Sequence, residues 1–184
     1  MRMERHQSQL LIVDVQDKLA PHIETVREVV ANSKRLAAYA RRMGVPTTLS
    51  EHYPKGLGPT VGEVKAEAGN ETPALEKIAF SCWQDAGLRA RLGGLRDAGR
   101  TQIVVAGMEA HVCVCQTVLD LVADGADVYL VADAVGSRKV ATRDLAIDRM
   151  REAGATIVSH EMVAFEWLAR GDAAETKDII ALVK

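Results

Sequence analysis

Apolar residues gather along the chain into short unbroken runs: "LLIVDV" (residues 10–15), "TTLSEH" with "VP" ahead of it, "IVVAG" (103–107), "DVYLVAD" (127–133) and "ATIVSH" (155–160). Runs that are apolar at consecutive rather than alternate positions belong to strands covered on both faces. Longer stretches of helical character lie between them. "TVREVVANSKRLAAYARRMG" ends in a basic turn followed by Gly44, a helix stop, and "RARLGGLRDAG", "CQTVLDLVADG" and "ATRDLAIDRMREAG" also close on glycine before the next strand. Strand, helix and glycine turn repeat through most of the chain. The repeat predicts a three-layer, doubly wound α/β fold, with a mostly parallel sheet of about six strands and helices on both faces.

One domain is expected over residues 1–184, with its core from about residue 8 and a C-terminal helical segment over about 161–184. The irregular part is 53–73, "YPKGLGPTVGEVKAEAGNETP", which carries three of the five prolines and reads as a long loop. A net charge of −2 argues against a nucleic-acid partner, which would call for a basic surface. No apolar run reaches the length of a membrane span, and "LLIV" is too short for a secretory signal. Three cysteines without paired spacing do not make a disulfide framework, so a cytoplasmic protein with reduced thiols is expected.

An open parallel sheet places its site beyond the carboxyl ends of the strands. The first strand delivers Asp14 and Gln16 there, the second Glu51 and His52, the third the turn 107–113, and the fourth Asp133. "VDVQDKLAP" has no glycine, which leaves a dinucleotide or phosphate loop without support. Two cysteines sit in "VVAGMEAHVCVCQTVLDLV". With a helix starting near Val112 and about 100° per residue, Cys115 falls in the apolar arc, whereas Cys113 falls with Gln116, Thr117 and Asp120 on the polar side. A thiol in a first helical turn should ionise more readily than a free one, which makes Cys113 either a reactive thiol or a half-buried inert one. Asp14 is the candidate proton carrier, or else a carboxylate capping a turn. Lys77 is a candidate positive charge, or else a surface lysine. Cys82 reads as packing.

"LLIVDVQ", "EKIAFSCW", "VVAGMEAHVCVCQTVLDL" and "VADAVGSR", in this order, resemble the isochorismatase-like cysteine hydrolase superfamily. "SEHYPKGLGPTV" resembles its subgroup of isochorismatase domain-containing proteins. The resemblance runs from about Leu10 through nearly the whole chain. It implies an Asp–Lys–Cys catalytic triad at Asp14, Lys77 and Cys113, a cis peptide between Met108 and Glu109, and an oxyanion hole formed by the backbone N–H groups of Glu109 and Cys113. The implied reaction is hydrolysis of a small amide-like, non-peptide C–N bond through a thioester acyl-enzyme. Isochorismatase-type ether hydrolysis, which does not need the cysteine, is the alternative; a non-catalytic, redox-responsive binding protein on the same fold is another.

The sequence departs from relatives in two places. Some carry threonine where this chain has Ala110. Nicotinamidase-like relatives bind a metal through an Asp and several histidines, whereas Glu51 and His52 here are followed by "YPKGLGP" with no second nearby histidine. No metal or other cofactor is expected. Gln16, Leu19, His52, Tyr53, Phe80, Trp83 and His111 are the candidates to line a pocket for a small-molecule substrate. Phe165, Trp167 and Leu168 crowd the C-terminal helical segment, so an exposed apolar patch and a homo-oligomer, a dimer or higher, are expected.

Overall fold

The computed structural model describes residues 2–184. Six parallel strands form one sheet in the order β3-β2-β1-β4-β5-β6. They are β1 (Ser8–Val13), β2 (Thr47–His52), β3 (Ala74–Lys77), β4 (Gln102–Met108), β5 (Asp127–Gly136) and β6 (Thr156–Val158). The chain winds outward from β1 through β2 to β3, then returns to lay β4 against the other side of β1. This reversal of strand order at β1 and β4 opens a crevice at their carboxyl ends, where such sheets hold ligands.

Consecutive apolar residues in the central strands serve opposite faces. Leu10 and Ile12 join Val104, Ala106, Tyr129 and Val131 in one core, while Leu11 and Val13 join Ile103, Val105, Val128 and Leu130 in the other. The first core is covered by α1 (Val26–Met43), α3 (Gly62–Ala68), α7 (His160–Leu168) and α8 (Thr176–Val183). The second is covered by α4 (Ala86–Asp97), α5 (Cys115–Ala123) and α6 (Val140–Glu152). The short α2 (Pro54–Leu57) follows β2. Local signals hold these helices in place. Gly44 ends α1 in the left-handed region, and the Asp85 carboxylate caps α4 by accepting from the N–H groups of Gly87 and Leu88.

The segment 53–73 is not a structureless loop. It holds α2 and α3, and Thr60 makes an isolated antiparallel bridge with Gln16. The edge strand β3 follows it, too short and too polar to stand out as an apolar run. The C-terminal segment is two helices rather than one, with α7 ending at Ala169 in the left-handed region. The expected apolar patch there is smaller than its sequence implies. Trp167 is buried with its indole N–H donating to Ser8 Oγ at 2.9 Å, and Leu168 is buried beside it. Only Phe165 of the three is exposed, together with Met162.

Gly107 is required by the close approach of β1 and β4. Its φ is +120°, and a Cβ there would lie 2.0 Å from the Val13 carbonyl oxygen. The β4–β5 register also shifts between Val105 and Gly107, which turns the end of β4 toward the crevice. Gly107→Ala should therefore destabilise the protein by about 4 kcal/mol or more, visible as loss of soluble yield or a large fall in the urea midpoint.

Candidate active site

Asp14 is the residue immediately after β1, held with φ at +48°. Its N–H donates to the Ser50 carbonyl at 3.1 Å, so the backbone turn is anchored to β2. Both carboxylate oxygens are used. Oδ1 accepts from the Ser50 hydroxyl at 2.7 Å, and Oδ2 accepts from Lys77 Nζ at 2.6 Å. Lys77 is the last residue of β3, in register with His52, and also donates to the Phe80 carbonyl at 3.0 Å. Neither side chain of the pair has any exposure. Burial works against the Lys77 ammonium, but Asp14 and the nearby Cys82 and Cys113 thiols outweigh it and hold its pKa above the ordinary value.

Cys113 comes from the other side of the crevice. β4 ends in a cis peptide between Met108 and Glu109, and Ala110–Val114 then forms a π-helical turn ahead of α5. The thiol is buried and lines the same cavity as Asp14. Asp14, Lys77 and Cys113, from three separate chain segments, are thus brought together. The expectation of an easily ionised thiol is corrected. Burial first, and then the Asp14 charge, push the Cys113 pKa well above the free-thiol value, with Lys77 opposing them. Burial and the Asp14 charge therefore favour the protonated thiol.

The π turn also corrects the helical projection, because its i→i+5 bonding widens the spacing on which that projection rests. Thr117, placed on the polar face, is fully buried; its hydroxyl donates to the Cys113 carbonyl at 2.7 Å and accepts from the Cys82 N–H at 2.9 Å. Asp120 accepts from Ser81 Oγ at 2.7 Å, so this side of α5 pins the segment that follows β3. Cys82 packs in the core 3.5 Å from Ser50 Oγ, its pKa pushed up to about 11 by burial. Cys115 is buried in the same apolar cluster.

Cys113 opens on a cavity of about 260 Å³, walled by Leu19, Leu57, Phe80 and Val112, with Asp14, His52, Glu109 and Arg138 as its polar members. Of the residues expected to line a pocket, Leu19, His52 and Phe80 do so. The other four are corrected. Gln16 is buried and spends its side-chain amide on the His52 backbone and the Gly58 carbonyl, which ties β2 to α2. Trp83 packs in the core, beneath the guanidinium groups of Arg89 and Arg96. Tyr53 is half exposed and lines a neighbouring cleft with Lys55 and Glu76. His111 points outward, its Nδ1 2.9 Å from Ser137 Oγ.

Four contributors escaped the sequence reading, among them Val112, taken there only as a helix start. Ser50 sits inside an apolar run. Leu57 lies in the segment read as a loop. Arg138, in "VADAVGSR", grips the Glu109 carboxylate through Nε at 3.1 Å, Nη2 at 3.0 Å and its own N–H at 3.2 Å. Glu51 does not face the cavity; its carboxylate accepts from the Thr60 N–H and hydroxyl, both at 2.8 Å. Among the described residues, no three His, Cys, Asp or Glu side chains converge as metal ligands. No helix among them is long and apolar enough to cross a membrane.

Comparison with known proteins identifies the family. Residues 8–162 match the isochorismatase domain. Isochorismatase family protein 1A of Dictyostelium discoideum is 34% identical over 177 residues, which are 95% of this chain and 85% of that protein. The MAR1 ribonuclease structure from Caenorhabditis elegans superposes with a TM-score of 0.92 at 33% identity, covering 100% of this chain and 92% of that one. The YcaC gene product of Escherichia coli, described as an octameric hydrolase of unknown specificity, gives 0.87 at 27% identity, covering 100% of this chain and 87% of that one. With a matched domain over most of its length and a relative at this identity, the chain belongs to the isochorismatase family of hydrolase folds.

Proposed function

We propose that this protein is a cysteine hydrolase of small amide-like, non-peptide C–N bonds, working through a thioester on Cys113. The observation that carries the reading is Cys113 sharing the wall of a small cavity with an Asp14 carboxylate already fixed by Lys77 and Ser50. A thiol held neutral needs a base at the moment of attack, and Asp14 is in contact with it. As the sulfur bonds to the substrate carbonyl carbon, its proton passes to Asp14. The carbonyl π electrons move to oxygen, which the backbone N–H groups of Glu109 and Cys113 stabilise. Collapse of this intermediate breaks the C–N bond, and Asp14 gives its proton to the departing amine. Water then attacks the thioester with Asp14 as base, which releases the acid and restores the thiol.

Lys77 has two parts in this scheme. Its ammonium fixes the Asp14 carboxylate in place, and its charge offsets the negative charge that develops on sulfur. The neighbouring name of ribonuclease does not transfer readily: a phosphodiester would bring negative charge to a cavity holding the Asp14 and Glu109 carboxylates, in a chain of net charge −2. Ether hydrolysis of the isochorismatase kind would leave the Asp14–Cys113 contact without a purpose. The reading also includes a homo-oligomer, supported by the octameric YcaC neighbour and by the exposed Met162 and Phe165 on α7.

Cys113→Ser and Cys113→Ala should lower turnover by at least about 1,000-fold with little change in melting temperature. Ammonia release from a panel of small amides measures the first effect, and a mass increment on Cys113 in quenched wild-type reactions identifies the acyl group. Full activity in the alanine variant would end the thioester route. Asp14→Asn separates base from thiol. The charge that raises the Cys113 pKa is removed while Lys77 stays, so the midpoint of Cys113 alkylation should move to lower pH even as turnover is lost. A midpoint unchanged or moved upward contradicts the assigned electrostatics. Light scattering at micromolar concentration should give a multiple of the chain mass.

A further inference from the structure

Glu109 puts an acid where the proposed chemistry develops negative charge. Its carboxylate lines the Cys113 cavity and its side chain is only 6% exposed. Its backbone N–H is one of the two groups assigned above to the carbonyl oxygen of the intermediate. Glu109 is also the residue that opens the π-helical turn, with extended φ and ψ of −85° and 139°. A carboxylate in that position is well placed to accept the unpaired N–H groups at the head of the turn. Here it accepts none of them. Left free, it would compete with the substrate oxygen for donors and repel the charge developing there.

Arg138 accounts for the difference. From the turn after β5 it reaches both carboxylate oxygens: Nε and Nη2 donate to Oε1 at 3.1 and 3.0 Å, and the Arg138 N–H donates to Oε2 at 3.2 Å. The strands bring the two residues side by side, because Met108 pairs with Gly136 at the end of the β4–β5 ladder. The Glu109 carbonyl is held separately, by the Val112 and Val114 N–H groups at 3.0 and 3.2 Å. Main chain and side chain of Glu109 are thus fixed by different partners. The Arg138 side chain is itself 69% exposed, so it contributes a grip on a buried acid rather than packing.

We propose that Arg138 is a positioning residue for acyl transfer: it withholds the Glu109 carboxylate from the N–H groups that receive the carbonyl oxygen, and it cancels the carboxylate's charge. The inference rests on Cys113 as the nucleophile and on those N–H groups as the oxyanion site. Arg138 is assigned no contact with substrate. Its effect is therefore confined to steps that make an oxyanion, and it should vanish once the carboxylate is removed.

Two probes separate such a step from one that makes no oxyanion. p-Nitrophenyl acetate reacts through a tetrahedral oxyanion: the Cys113 sulfur bonds to the acetyl carbon, the thiol proton passes to Asp14, and the C–O bond breaks to release p-nitrophenolate. Methyl methanethiosulfonate has no carbonyl: the Cys113 sulfur bonds to the S-methyl sulfur, the thiol proton again passes to Asp14, and the S–S bond breaks to release methanesulfinate. The first rate is p-nitrophenolate release above that of Cys113→Ala, with the acetyl group located by peptide mass spectrometry after acid quench; the second is the mixed disulfide on Cys113, read the same way. Their ratio cancels changes in access to the thiol. Arg138→Met should lower the acetylation-to-disulfide ratio by at least about 10-fold, a loss of the size that follows a missing oxyanion donor. Adding Glu109→Ala, which deletes the carboxylate and keeps the backbone N–H, should recover most of that loss. If Arg138→Met does not fold, Arg138→Lys, which keeps the charge without the two-pronged grip, takes its place with an expected loss of at least about threefold, the worth of one hydrogen bond. An unchanged ratio, or a loss that Glu109→Ala leaves in place, overturns the role of Arg138, while an acetylated Cys113 keeps the nucleophile. A wild-type Cys113 that takes no acetyl group overturns the nucleophile, and this inference with it.

Discussion

Asp14 and Lys77 meet at 2.6 Å with no exposure on either side chain, and the site is built around that contact. Removing a carboxylate and an ammonium from water costs several kcal/mol for each ion, which their attraction repays only if the remaining lone pairs and protons are also matched. Here they are. Ser50 fills the second carboxylate oxygen, and the Phe80 carbonyl takes another lysine proton. The pair can exist only when β1, β2 and β3 lie side by side in that order, since the two residues terminate the outer members and Ser50 comes from the strand between them. The sheet order and the ion pair therefore require each other.

The same contact sets the state of the sulfur. An argument from the helix end alone favours a thiolate, because unpaired N–H groups carry partial positive charge. That charge is about half an elementary unit spread over a turn. Burial of the thiol together with the nearby full charge of a carboxylate outweighs it. Lys77 acts in the direction of the helix end, yet it is already engaged by the acid it faces. A thiol that stays protonated until a carbonyl arrives is protected from stray electrophiles and oxidants, both of which need the thiolate.

How far the sequence could be read follows from the range of the forces involved. Central strands were legible because burial on both faces leaves consecutive apolar residues, as at Leu10 to Val13, whose side chains divide between two cores. The helix end at Gly44 was local enough to leave a residue-level mark. The edge strand β3 left none, since a four-residue strand with one exposed face needs little apolar character. Asp14, Lys77 and Cys113 could be nominated through motif resemblance, but their contact depends on strand order, which periodicity does not encode. Pocket residues were the least legible. Gln16 and His111 lie next to Asp14 and Cys113 in sequence, yet one side chain turns in to clamp the backbone and the other turns out to Ser137. Each lies two positions away along chain that is not regular strand, with Asp14 in the left-handed region and Cys113 in a π-helical turn, so nearness in sequence argues weakly for facing the same cavity. The π-helical turn defeated the projection of α5 for a related reason: that projection assumed one angle per residue, and Thr117 moved from surface to core when the angle changed.

The charges around the cavity cancel in a particular way. Asp14 is matched by Lys77, Glu109 by Arg138, and His52 and Cys113 are neutral. A charged ligand would enter this space without a free opposite charge to meet it, and desolvation would then oppose binding. A neutral one loses little. The cancellation also changes during the proposed reaction, because proton transfer to Asp14 leaves Lys77 unmatched as negative charge passes from sulfur to the carbonyl oxygen. The lysine thus holds an acid in the resting site and faces a net negative charge further along the path. Stabilisation that strengthens as the reaction proceeds, rather than in the resting complex, is the kind that lowers a barrier.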